Sequence, residues 1–138
     1  VISDETARTV FGEVEILSAG DQADGQPPQA TARVVVGADE PAFDGHYRGF
    51  AILPGVCLIE LAHRTAMAAL PPAPAAGRAR LAAVEAARFQ DPVFPGEAVT
   101  VELKWERTED GWRCRTVLST ERGPSARVRL AYEWGESA

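Results

Sequence analysis

The chain is poor in the residues that carry most metal and redox chemistry. Its 138 residues include two cysteines, two histidines and one methionine. Cys57 and Cys114 lie far apart, outside any C-x-x-C spacing and away from a Cys/His cluster, so a zinc site is not expected. With so little cysteine, a reduced, cytoplasmic protein is the default expectation. Long apolar runs are also missing. No segment approaches the ~20 residues of a membrane span. The opening VISDETARTV has neither a basic region nor an apolar run, so no secretory signal is expected. Positive charge is in deficit, with 14 Lys and Arg against 20 Asp and Glu and a formal net charge of -6. The molecule as a whole is therefore not built for nucleic acid or an anionic membrane, although a local basic patch stays open. There is no internal repeat and no low-complexity tail.

What is present describes an ordinary globular domain, 46% apolar and 25% charged, spanning residues 1–138 with one core. Thr9–Leu17 partly alternates and reads as a strand, and Ser18–Gln29 reads as a Gly/Asp/Gln/Pro loop. Ala30–Val36 reads as a second strand. Pro54 suits the first helical position, where its missing N–H costs nothing. A helix is expected from there to Leu70, stopped by Pro71, Pro72 and Pro74 in a stiff PPAPAAG linker. Arg80–Phe89, Ala98–Arg107, Trp112–Thr120 and Ala126–Trp134 read as strands separated by the turns DPVFPGE, TEDG and ERGPS. Alternation such as Val99, Val101, Leu103 and Trp105 against Thr100, Glu102 and Lys104 marks half-solvated antiparallel strands. A helix apolar nearly all round must be covered on most sides. The expected fold class is α+β, an antiparallel sheet wrapped around one long central helix.

Chemistry concentrates in FDGHYRGFAILPGVCLIELAHRTAM, Phe43 to Met67. Glu60 interrupts the apolar helix, and a carboxylate there must be paired, neutralised or used. His46, at the end of the preceding extended segment, is a candidate partner. Plainer readings exist for each residue. His46 could be a surface turn residue, and Pro54-Gly55 a simple capping turn. Glu60 could form an i,i+4 ion pair with Arg64. Glu60 and His63 make a Glu-x-x-His half of a di-iron site, but that needs a second such pair on a facing helix. Cys57 could be a nucleophile near His46, although a small buried helix residue is the simpler account.

Taken together, HYRGFAILPGVCLIE resembles the active-site motif of hotdog-fold (3R)-hydroxyacyl-[acyl-carrier-protein] dehydratases of the FabZ type, roughly H-F-P-G-x-P-x-x-P-G-V-L-x-x-E. His46, Gly49, Pro54, Gly55, Val56 and Glu60 fall at that spacing. Downstream, ARFQDPVFPGEAVTVEL resembles the family's R-F-x-x-P-V-x-P-G-D-x-L through Arg88, Phe89, Pro92, Val93, Pro95, Gly96 and Glu97. EPAFDGH resembles its E-P-F-F-x-G-H, so the likeness runs from about Asp39 to Leu103. The family's N-terminal P-H-R-Y-P-F-L-L-V-D is not recognisable.

The resemblance implies a single hotdog domain that removes water from a 3-hydroxyacyl thioester. His46 would take the Cα proton and Glu60 would protonate the leaving hydroxyl, two roles that must face one substrate. Neutral imidazole suits the first role, and desolvation on an apolar helix favours the protonated carboxyl that the second requires. The Gly55 N–H, at the helix N-terminus, would steady charge on the thioester oxygen. Gly49, Pro54, Val56, Arg64 and Phe89 would line the substrate path. No metal and no resident cofactor are implied, because phosphopantetheine arrives with the substrate on an acyl carrier protein. In the family the His and Glu of one site come from different subunits. A homodimer, a higher homo-oligomer or a heterodimer with another hotdog subunit is therefore expected. Arg64 stands where the family often has Gln, Tyr47-Arg48 replaces F-P, and Ala51 replaces a proline. These changes bear on which acyl chain is accepted, in a fatty-acid or a polyketide or polyene pathway. Carrier proteins of this kind are acidic, so docking would need basic residues, with Arg78, Arg80, Arg88, Arg48 and Arg64 as candidates. A hotdog thioesterase using Glu60, or a non-catalytic acyl-binding subunit, are the alternatives.

Overall fold

The computed structural model describes residues 10, 12–20, 28–41, 52–71 and 78–135. Within them run strands β1 (Glu15–Gly20) and β2 (Gln29–Val35), helix α1 (Gly55–Ala68), and strands β3 (Arg78–Phe89), β4 (Ala98–Arg107), β5 (Trp112–Thr120) and β6 (Gly123–Gly135). The six strands form one sheet in the order β1-β2-β4-β5-β6-β3, and every pairing is antiparallel. The helix lies against β3, β4, β5 and β6. This is the hotdog arrangement that the sequence predicts.

The inner face follows from period-2 alternation. Val99, Val101, Leu103 and Trp105 of β4 point inward and are buried, as are Cys114 and Leu118 of β5 and Val128 and Leu130 of β6. Burying each such Val or Leu side chain stabilises the fold by roughly 1.5–3 kcal/mol. The helix offers Cys57, Leu58, Leu61, Ala62, Thr65 and Ala66 to this face. That spacing is one stripe of a 3.6-residue period, not an all-round apolar surface. Trp105 joins the layers at the far end of α1, where its indole N–H donates to the carbonyl of Ala69 at 2.8 Å. This satisfies one of the carbonyls that a helix C-terminus leaves without an internal partner.

Four elements differ from the sequence expectation by two residues or more at an end. β1 starts at Glu15 and continues to Gly20, into the stretch read as loop. Ser18, Ala19 and Gly20 have weak strand propensity, but β2 supplies partners at Thr31, Ala30 and Gln29 after a register shift beyond Ile16. Pairing outweighs local composition there. β3 begins at Arg78, two residues earlier than expected, where Arg78 and Ala79 pair with Gly135 and Trp134. β6 starts at Gly123 because the turn closes on Glu121 and Arg122 alone, with Gly123 at φ 117°. Helix α1 ends at Ala68, and Ala69 leaves helical geometry at φ -136°. Pro71 disfavours helical backbone at Leu70, which accounts for the early stop.

Candidate active site

The head of α1 follows from local chemistry. Pro54 is the N-cap, with φ -59° and ψ 147°, and its side chain caps nothing. The first N–H groups of a helix have no partner within it, and the dipole adds positive character at that end. The chain arrives at this point under control. The Leu53 N–H donates to the carbonyl of Val93 at 2.8 Å, tying the entry of α1 to the segment between β3 and β4.

That segment is held in turn by Arg122. Its guanidinium donates to Glu97 Oε1 at 2.8 Å, to the carbonyl of Pro92 at 2.6 Å and to Asp91, and it lies 4.8 Å from the centre of the Phe94 ring. The hydrogen bond from Arg122 holds the Glu97 carboxyl below its ordinary range, helped by the Phe94 N–H at 2.7 Å. Gly96 turns at φ 88°, a conformation that side chains with a Cβ rarely adopt. Sequence reasoning missed Arg122. The signal available was weak, namely two acids in DPVFPGE and an arginine in a turn some thirty positions later.

Gly55 and Phe89, both predicted from the sequence, meet. A Cβ on Gly55 would lie 2.8 Å from Phe89 Cζ, so the ring rests on the bare glycine. Leu53, Gly55 and Leu58 on one side and Phe89, Gln90 and Pro92 on the other line an open cavity of about 320 Å³. Val56, the next helix residue, is 65% exposed, and Phe89 is 50% exposed. Glu60 is one turn beyond Val56 on the same ridge, half-buried and off the stripe that packs on the sheet.

Arg64, a turn further along, donates to the carbonyls of Val10 and Gly12 at 2.8 and 2.7 Å. It fastens the chain's early residues to the helix. His63 Nδ1 lies 2.6 Å from the Tyr132 hydroxyl, and the two rings stack with centroids 5.7 Å apart. Burial pushes the Tyr132 hydroxyl above its ordinary range. Among the described residues, no three His, Cys, Asp or Glu side chains are placed to hold a metal ion. Cys57 is buried, and burial pushes the Cys114 thiol up to about 12. No described helix is long and apolar enough to cross a membrane. His46 and Gly49, with Arg48 and Ala51, lie outside the described residues.

A six-stranded antiparallel sheet packed on one helix places the chain in the hotdog fold class. Residues 21–134 match the model of the ApeI-like family, described as ApeI dehydratase, and the chain belongs to that family. It is similar to the 3-hydroxyacyl-[acyl-carrier-protein] dehydratase FabZ of Thermus thermophilus, 43% identical over 67 residues, covering 46% of this chain and 47% of the relative. The FabZ of Roseiflexus castenholzii is 33% identical over 97 residues, covering 69% and 68%. The match thus spans about half the length of the Thermus relative. Among solved structures, the dehydratase heterocomplex ApeI:P of Xenorhabdus doucetiae superposes with a TM-score of 0.62 at 18% identity, covering 87% of this chain and 97% of that one. The thioesterase HI1161 of Haemophilus influenzae gives 0.68 at 17% identity, covering 89% and 78%. At these identities the two structures share the fold.

Proposed function

We propose that this protein eliminates water from a 3-hydroxyacyl thioester carried on an acyl carrier protein, giving the 2-enoyl thioester. The observation that carries this reading is Glu60, set one turn behind the exposed Val56 at the head of a helix whose first residue is bare under Phe89. Membership in the dehydratase family supports it.

The imidazole of His46 takes the Cα proton, and the electron pair left behind delocalises onto the thioester carbonyl. The Gly55 N–H donates to that oxygen, supported by the helix dipole. The pair then forms the Cα–Cβ double bond as the C3–O bond breaks. Glu60 gives its proton to the departing hydroxyl, which leaves as water, and proton return from His46 to Glu60 restores the starting state. Val56, Pro54, Gly49, Arg64 and Phe89 border the acyl path. The histidine comes from a second hotdog subunit, as His46 of a copy of this chain or its counterpart in a divergent partner, so assembly is a condition of turnover.

The test is incubation with a 3-hydroxyacyl and a 2-enoyl carrier-protein thioester, with products followed by mass. Loss or gain of water supports the reading, and release of the free acid replaces it with thioester hydrolysis. His46→Ala and Glu60→Gln are each expected to slow turnover by about 10²–10⁴-fold while leaving the melting curve in place. Near-normal rates in either variant would remove that residue from the mechanism.

A further inference from the structure

The sheet's outer face carries a charge opposite to that of the molecule. Alternation that buries Cys114, Thr116, Val128 and Leu130 turns Arg115, Arg127 and Arg129 outward, with Lys104 beside them on β4 and Arg88 on β3. In the register Lys104 stands opposite Arg115, and Arg115 opposite Arg129. In the next row Arg88 stands opposite Arg127. Like charges directly opposite one another are unfavourable in a sheet. The carboxylates of this face offset them only in part: Glu102 lines one trough with Lys104, Arg115 and Arg127. Glu85 and Glu106 are engaged by Arg113 at 2.7 and 2.6 Å, at one end of the cluster. They also pair with Arg129 and Arg115, each at 3.3 Å. Among the described residues, Arg88, Arg127 and Lys104 make no ion pair. Two shallow troughs, of about 620 and 410 Å³, share Arg115, Val117 and Arg127 in their walls. In a chain of net charge -6, this is a local excess of cations over carboxylates.

We infer that this arginine face docks an acidic protein surface, that of the carrier bearing the thioester. The inference rests on the dehydratase reading for its choice of partner. Placement links the face to the cavity. Arg88 points outward, and its neighbour Phe89 lies on Gly55 and walls the cavity with Gln90. A carrier held by Arg88, Arg115 and Arg127 is therefore one residue from the site, across the end of β3. Charge complementarity of this kind acts on encounter and register, and it is weakened by salt.

The experiment measures binding of a bacterial apo-acyl carrier protein, which bears no arm, to the purified protein and to Arg115→Glu/Arg127→Glu. Arg115→Gln/Arg127→Gln is the milder control, and melting curves check all three. Affinity should fall about tenfold or more in the reversed variant and less in the neutralised one, and wild-type affinity should weaken steeply between about 50 and 300 mM salt. KM for carrier-borne substrate should rise in parallel, with kcat/KM for the same acyl group on free pantetheine within about twofold of wild type. Carrier affinity unchanged in both variants overturns the inference. So does a change in molar mass by light scattering on charge reversal, which would make the face an interface between subunits. If the wild type turns over neither thioester, the dehydratase reading fails by itself, and apo-carrier binding still decides the face.

Discussion

Gly55 is where the head of α1 meets the Phe89 ring at the end of β3, and it shows how one missing Cβ shapes the site. In Gly55→Ala the new methyl would sit 2.8 Å from the Phe89 ring, so the ring must move. Because Phe89 is half exposed, it can swing outward with little strain. Alanine's better helix propensity returns roughly 1 kcal/mol, so unfolding free energy should change by less than that. Turnover should nevertheless drop by about tenfold to a hundredfold, because the ring and the Gly55 N–H no longer frame the same space. A denaturant melt with steady-state rates separates the two effects, and an unchanged rate would take Phe89 out of the site. Ser125 gives the opposite kind of test. It is fully buried, and its hydroxyl has no hydrogen-bond partner among the described residues. Its backbone carbonyl accepts from the N–H groups of Gln90 and Asp91 at 2.8 and 3.2 Å and is untouched by mutation. Ser125→Ala should therefore be neutral or stabilising by up to about 1 kcal/mol in the same melt. A clear loss of stability would reveal a partner for the hydroxyl.

At the scale of elements, the segment between β3 and β4 depends on the β5–β6 hairpin through Arg122. The depressed Glu97 carboxyl sets the sign of the pH effect. A group whose folded value lies below its unfolded value contributes stability above the unfolded value. That contribution is lost as pH falls from the ordinary 4.5 through the lower folded value. Thermal melts of the wild type should therefore drop across that acidic range, and Arg122→Ala should show a shallower drop from a slightly lower plateau. Parallel pH profiles would show that Arg122 does not hold Glu97. The ion pairs are exposed and screened, so the plateau difference is small. This coupling also marks the limit of what the chain discloses locally. Elements with strong periodicity, β4 and β5, were legible to the residue because Val99 to Trp105 and Trp112 to Leu118 alternate cleanly. The extension of β1 was not legible, since it comes from pairing with β2, whereas Pro71 announced the stop of α1 and the end fell two residues before Leu70. Glu60, Gly55 and Phe89 were legible through motif spacing. Arg122 acts across sequence separation, and no local pattern announces it.

At the scale of the whole molecule, the open edge of β3 and the exposed apolar residues beside it belong together. β3 is twelve residues long and, among the described residues, pairs with β6 alone. A long, alanine-rich edge with unpaired N–H and C=O groups is a template for another strand unless charge or proline blocks it. Val84 on this strand is 43% exposed, and Phe89 and Val56 extend the apolar surface to the helix head. Glu60 lies on the same helix ridge as Val56, on the side that the sheet of its own chain leaves uncovered. A second copy pairing along β3 would cover this surface and bring residues of the partner to the helix ridge of Val56 and Glu60. The mutation that tests this is Val84→Lys, which places a charge on the strand that must be covered. Light scattering should then show a molar mass about half that of the wild type, since one buried unpaired charge costs more than a single edge contact returns. Circular dichroism should keep its sheet signal, and thioester turnover should be lost with the assembly. A wild type that is monomeric and active, or a Val84→Lys variant that is monomeric and fully active, would place the whole site within one chain.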